Sequence, residues 1–276
     1  MKELLGLLEQ LNIRPHRNLQ SHIQGPQPKG TPGTSEDFLK FQHYQPGDAL
    51  NQVDWKKYVK SKALLTKQFG DDQNYTVVLL VDTSRSMTYG NPSKAAYQNR
   101  LIEGIAYAVL YRLHPLVLVD MGTEKRALFS QSVNESIPQI KKWLNALEYS
   151  AKALPLSSDF YHQFSNCLLI AVTDAWDETY HSFIDQQVVF QNDLILMHLL
   201  SEEELDPTLN GSYLLTDCES GKEVQLRIDQ KKIERYHKIM HSKCLALKTT
   251  CAKYGFRYIN VSTSDELKPV FVKLGR

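Results

Sequence analysis

The chain has 276 residues, 42% hydrophobic and 23% charged, with a formal net charge of +1. That length suits one large domain or one domain with an added module, and the composition excludes a mostly disordered chain, a collagen and a disulfide-dense miniprotein. Near-neutral charge gives no global attraction to nucleic acid or membrane, and no apolar run approaches the ~20 residues that span a bilayer.

In chain order, Leu4, Leu5, Leu7, Leu8 and Leu11 predict a short amphipathic helix that ends before Pro15. Glu3 and Glu9 interrupt its apolar pattern, which makes it a poor secretory signal. The run GPQPKGTPGTS at 25–35 is too dense in Pro and Gly for regular structure and reads as a loop or linker. From Phe38 to Phe69, strand-like pieces alternate with turn signals such as Pro46-Gly47-Asp48. We therefore expect a helix, linker and small extended module over 1–74, and a larger domain over 75–276.

The larger domain opens with TVVLLVD at 76–82, a buried-type strand that is apolar on both faces. Asn91-Pro92 opens a long helix, since Asn caps well and Pro suits the first helical turn. LVLVD at 116–120 is a second buried strand, and ALFS at 127–130 a short one. A helix follows over about 137–147, then a central strand CLLIAVTD at 167–174, a helix near 178–188 and the strand DLILMHLL at 193–200. A polar hairpin turns at Glu219-Ser220-Gly221. A helix over about 229–253 carries an apolar stripe through Ile233, Tyr236, Met240, Cys244, Leu247 and Cys251. A last strand, FRYINV, and a short helix complete the pattern. Buried strands alternating with amphipathic helices imply an α/β fold: a mostly parallel sheet covered on both faces.

Charge is uneven along this order. Residues 75–230 carry net −9 and residues 231–276 net +8. This describes either two mildly attracting faces of one domain or a basic C-terminal face that meets an acidic partner. The four cysteines form no CxxC pair and fit a reducing, cytoplasmic setting.

Open α/β sheets bind ligands at the carboxyl ends of their strands. After the first buried strand comes Asp82-Thr83-Ser84-Arg85-Ser86, and after the central strand comes Asp174-Ala175-Trp176-Asp177. A D-x-S-x-S turn can aim one carboxylate and two hydroxyls at a single point, and Asp174 adds charge directly or through water. Oxygen ligands that leave the coordination sphere incomplete suit Mg²⁺, with Mn²⁺ or Ca²⁺ as alternatives. An open position would accept a partner's Asp or Glu. The competing reading is that Ser84 and Ser86 only satisfy turn and helix-start donors.

The strand with DTSRSM resembles the metal-ion-dependent adhesion site of von Willebrand factor A domains. The upstream run FQHYQPGDALNQVDWKKYVKSKALLTKQF resembles the bacterial domain-of-unknown-function 58 family. The pieces that carry this likeness are Tyr44-x-Pro46-Gly47-Asp48, Val53-Asp54-Trp55 and Leu65-x-Lys67-x-Phe69, with LSEEELDPTLNGSYLLTDCESGK downstream. The resemblance covers about residues 30–230. It implies a von Willebrand A-type, Rossmann-like three-layer sandwich and a role in protein association. It also implies action beside a MoxR-type AAA+ ATPase in the assembly or maturation of other proteins. Many members of the family carry N-terminal membrane helices, and this chain resembles a short soluble form. Gln42 and Asn51 stand where members often have basic residues. The adhesion-site pattern also expects a threonine in a middle loop, where this chain offers Ser150, Ser157 and Ser158, with Thr123 earlier.

Other constellations point elsewhere. Asp82 could be the nucleophile of a metal-dependent phosphohydrolase, although Ser84 takes the place of the usual second carboxylate. His237, His241 and Cys244 share one helix at spacings that can bind zinc, but Cys244 also belongs to the apolar stripe. Lys231, Lys232, Arg235, Lys238, Lys243 and Lys248 crowd the same helix with only Tyr236 as a stacking residue, which argues against nucleic acid. Trp176 is either an exposed interface anchor or core packing, and Tyr44 and Trp55 read as packing for the N-terminal module.

Overall fold

A computed structural model of the chain describes residues 2–17, 19, 38–43, 65–69, 75–130, 132–150 and 156–275. Contacts divide the chain into two units, residues 26–73 and the remainder. The smaller unit contains an antiparallel pair, β1 (Phe38–His43) and β2 (Leu65–Phe69), with a bulge between Phe38 and Lys40. The motif Leu65-x-Lys67-x-Phe69 is the second of these strands. Tyr44, Pro46-Gly47-Asp48, Val53-Asp54-Trp55 and the linker at 25–35 lie outside the described residues.

The larger unit starts with helix α1 (Lys2–Gln10). Residues 1–25 group with this unit, and residues 26–73 form the smaller one. Leu8, Leu11 and Ile13 are buried in the core of the larger unit, Tyr75 OH donates to the Ile13 carbonyl at 2.6 Å, and Arg112 Nε donates to the Leu11 carbonyl at 2.9 Å. An amphipathic helix this short is marginal alone, so its leucines are stable only against a larger apolar surface.

That surface is a six-stranded sheet. Its strands are β3 (Val77–Val81), β4 (Leu116–Asp120), β5 (Arg126–Phe129), β6 (Leu168–Thr173), β7 (Asp193–Leu200) and β10 (Arg257–Ser262), in the order β10-β7-β6-β3-β4-β5. Only β5 runs antiparallel. Side chains alternate between the faces. Val77, Leu79 and Val81 join one core with α1, α2 (Lys94–Tyr111), α3 (Val133–Asn145) and α8 (Leu267–Leu274). Val78 and Leu80 join the opposite core with α4 (Ser158–Gln163), α5 (Thr179–Val189) and α7 (Gln230–Lys253). The larger unit thus forms three layers around a mostly parallel sheet, as the uninterrupted apolar strands imply.

The remaining elements lie near one sheet edge: a 3₁₀ turn at Arg85–Thr88, the one-turn helix α6 (Glu202–Leu205), and the hairpin β8 (Gly211–Thr216) with β9 (Glu223–Ile228). The cap of α2 is Ser93, whose side chain accepts from Ala96 N, and not Asn91. The stripe on α7 is realised in Met240, Leu247 and Cys251, which are buried, while its lysines and Arg235 are exposed, as a solvated basic face. Among the described residues no helix is long and apolar enough to cross a membrane.

Candidate functional site

β3 pairs with β6 on one side and β4 on the other, so the strand order switches direction at β3. A crevice opens at such a point beyond the carboxyl ends of the strands. Val81 lies opposite Val172, so the chain delivers Asp82 beside Thr173 and places Asp174 one residue further out. All are buried.

The Asp82 carboxylate is held on both oxygens. Oδ1 accepts from Ser84 N at 2.8 Å, and Oδ2 accepts from Thr173 Oγ1 at 2.5 Å and Tyr180 OH at 3.2 Å. Gln98 Nε2 fixes the backbone by donating to the Asp82 carbonyl at 2.9 Å. Burial, and then the charge of Asp174, push the Asp82 carboxyl up to about 6 against the opposing hydrogen bonds from Ser84 and Thr173.

Ser84 and Ser86 bear on the turn-donor alternative. Ser84 precedes the 3₁₀ turn but makes no side-chain capping bond; its Oγ lies 3.0 Å from Ser86 Oγ. Two cis ligands of an octahedron with ~2.1 Å bonds are also about 3.0 Å apart. These hydroxyls share a cavity of about 520 Å³ with Asp82 and Asp174. The donor set therefore fits a small hard cation. It is a mixed set: among the described residues no three His, Cys, Asp or Glu side chains gather to hold a metal by themselves.

Asp174 has a partner that the sequence did not reveal. Its Oδ2 lies 2.8 Å from Lys94 Nζ, and the same ammonium lies 2.5 Å from Glu204 Oε1. Lys94 is fully buried. Burial alone would depress its pKa, but the two carboxylates raise it. Glu204 is oriented by a capping box on α6: Ser201 Oγ accepts from Glu204 N, and Glu204 Oε2 accepts from Ser201 N. Two carboxylates thus share one ammonium, while the Asp82 carboxylate is held by the neutral donors Ser84 N, Thr173 Oγ1 and Tyr180 OH. His198 supports the Asp174 backbone through a 2.8 Å contact between its Nε2 and the Asp174 carbonyl, and burial lowers its pKa.

The middle-loop hydroxyls do not line this cavity. Ser157 Oγ donates to Glu124 and accepts from Phe160 N as the cap of α4, and Thr123 Oγ1 donates to Asp120. Ser158 is the first residue of α4, and Ser150 is exposed. The zinc trio is not assembled: His237 lies 3.6 Å from Asp206, while Cys244 Sγ approaches His198 at 3.9 Å. Trp176 is half-buried at the cavity wall, with Nε1 3.4 Å from Glu204 Oε1 and Lys243 Nζ 5.0 Å from its ring centre.

Lys94, Thr173, Tyr180, Glu204 and Glu219 were not anticipated as site residues. Only Glu204 carried a readable signal, the Ser-x-x-Glu start of a helix at 201–204. Glu219, at the tip of the β8–β9 hairpin, accepts from Ser86 N at 2.9 Å through Oε1.

The family described as "Protein of unknown function DUF58" matches residues 40–131. Among solved structures, a conserved hypothetical protein BatB from Bacteroides thetaiotaomicron is 10% identical, with a TM-score of 0.41 over 72% of this chain and 96% of that one. An aerotolerance-related membrane protein from Bacteroides fragilis is 12% identical, with a TM-score of 0.43 over 73% of this chain and 98% of that one. No curated protein matches.

Proposed function

We propose that the chain is a von Willebrand A-type docking module that binds an acidic group of a partner protein through one divalent cation and catalyses no reaction itself. Asp82, Ser84 and Ser86 would hold the ion, with Asp174 acting behind them through water. Mg²⁺ is the natural occupant, with Mn²⁺ or Ca²⁺ as alternatives. The ion supplies a positive centre with coordination positions left for an outside carboxylate.

The observation that carries this reading is the Ser84–Ser86 pair. The two hydroxyls hydrogen-bond to each other at 3.0 Å beside a buried carboxylate, and Ser84 makes no side-chain capping bond to the turn it precedes. Lys94 already neutralises charge on Asp174, so the ion's protein ligands belong mainly to the D-x-S-x-S turn. Resemblance to the domain-of-unknown-function 58 family makes a MoxR-type AAA+ ATPase, or a protein it remodels, the partner to look for.

A tagged pull-down from the native cell, read by mass spectrometry, tests the proposal. A partner should be retained by the wild-type chain with Mg²⁺, and lost on chelation or with Asp82→Ala. Equal recovery in all three conditions would sink the metal-bridged mechanism. Hydrolysis of a generic phosphoester by the wild type, absent in Asp82→Ala, would instead establish the phosphohydrolase alternative.

A further inference from the structure

The β8–β9 hairpin stands over the candidate site and carries its own acid to it. Its turn is firmly built: Asp217 Oδ1 accepts from Ser220 N at 2.7 Å, Gly221 N donates to the Asp217 carbonyl at 2.9 Å, and Gly221 takes a φ of +68°, which glycine adopts without strain. This turn presents Glu219, whose carboxylate reaches Ser86 N across 133 residues of chain. The hydrogen bond falls on the backbone of a residue whose hydroxyl is a proposed metal ligand, and Glu219 lines the same cavity as Asp82 and Asp174.

The hairpin behind this contact is loosely packed. Leu214 and Val224 are 62% and 57% exposed. Leu215, Leu226 and Ile228 face Ile233 and Tyr236 of α7 across a second cavity of about 330 Å³. Apolar side chains that border open space instead of a filled core hold an element weakly.

The geometry points to Glu219 as a built-in occupant of the docking position, a carboxylate that the partner's Asp or Glu must displace. This rests on the docking reading above and specifies its regulation: with the hairpin tip down the site is latent, and with the tip off it is open. One exposed hydrogen bond and a loosely packed hairpin make a latch that a ligand can release.

Hydrogen–deuterium exchange of the whole chain tests the latch without a partner. In Glu219→Ala, the Ser86 amide and those of residues 211–228 should exchange about ten-fold faster, the loss expected for one hydrogen bond to a charged group. Asp82→Ala should leave the hairpin's exchange unchanged. A second arm uses Mn²⁺ with the capped tripeptide Gly-Glu-Gly, reading paramagnetic broadening of the peptide's proton resonances. Broadening should be several-fold greater with Glu219→Ala than with wild type, and absent with Asp82→Ala or with Gly-Gln-Gly. Equal exchange in wild type and Glu219→Ala would overturn the latch, as would equal broadening when Mn²⁺ is bound. Failure of the wild type to bind Mn²⁺ would overturn the docking reading instead, and the exchange arm would still decide the latch.

Discussion

Lys94 Nζ lies 2.8 Å from Asp174 Oδ2, and both side chains are shut away from water. The pair joins the first turn of α2 to the end of β6, and Glu204 extends it to α6. Removing one member of a buried ion pair leaves an unpaired charge and costs about 3–5 kcal/mol. Lys94→Met should therefore lower the melting temperature by roughly 10 °C. Adding Asp174→Asn should recover part of the loss. Because the fold raises the Lys94 pKa, the stabilisation it brings is complete below about 10.5 and disappears as pH rises through the folded value. Melts of wild type and Lys94→Met that remain equally spaced at strongly alkaline pH would contradict this.

Asp82 shifts the other way in its effect on stability. Burial and Asp174 raise its carboxyl from 3.8 to about 6 in the folded chain. The fold binds that proton more tightly than the unfolded chain does, so Asp82 weakens the metal-free fold above about pH 6 and this penalty fades as pH falls toward 3.8. In chelator, Asp82→Asn should melt higher than wild type at pH 7.5, with the difference shrinking toward pH 4. On the docking proposal, protons and cations compete for the same oxygens. Mg²⁺ should accordingly raise the wild-type melting temperature more at pH 7.5 than at pH 5. Thermal melts across that range, with a constant gap between the two proteins, would refute the assignment.

Thr173 should matter to cation binding without touching the ion. Its Oγ1 donates to Asp82 Oδ2, contacts Tyr180 OH at 2.5 Å and accepts from Ala175 N at 3.0 Å, so it orients the proposed metal ligand. Loss of such an outer partner typically costs 10–100-fold in metal affinity. Calorimetric titration with Mn²⁺ should show about that loss for Thr173→Val, and a comparable or larger one for Ser84→Ala. An unchanged affinity in Thr173→Val would remove Asp82 from the ligand set.

The parts of this fold legible in the sequence are those set by local pattern. β7 occupies Asp193–Leu200, the span of the DLILMHLL run, because a strand buried on both faces must be continuously apolar. The hairpin turn at Glu219-Ser220-Gly221 was equally legible, because Gly supplies the positive φ there. Asp82, Ser84, Ser86 and Asp174 could be brought to one crevice because parallel strands end at a common edge. Lys94 could not be found this way. It lies in the first turn of a helix, where nothing local separates a buried ammonium from a solvated one. Glu219 was visible as a turn residue, but its contact with Ser86 depends on how a distant hairpin lies over the sheet. Helix α4 was missed because six residues, Ser158–Gln163, are too few to display a helical period.

Gly104 separates helix propensity from packing. It lies in the middle of α2, where alanine is intrinsically better by about 1 kcal/mol. A Cβ there, however, would come within 2.2 Å of Cζ of Phe271, a fully buried ring on α8. No real carbon contact is that short, and the ring is enclosed by the core shared by α1, α2 and α8. Overpacking a filled core costs about 1–3 kcal/mol, so the clash should outweigh the propensity gain. Gly104→Ala should lower unfolding free energy in denaturant titrations, and Phe271→Leu in the same chain should lose less than the sum of the two single changes, because the smaller side chain makes room for the methyl. A Gly104→Ala chain more stable than wild type would mean that α2 and α8 do not approach as closely as this contact requires.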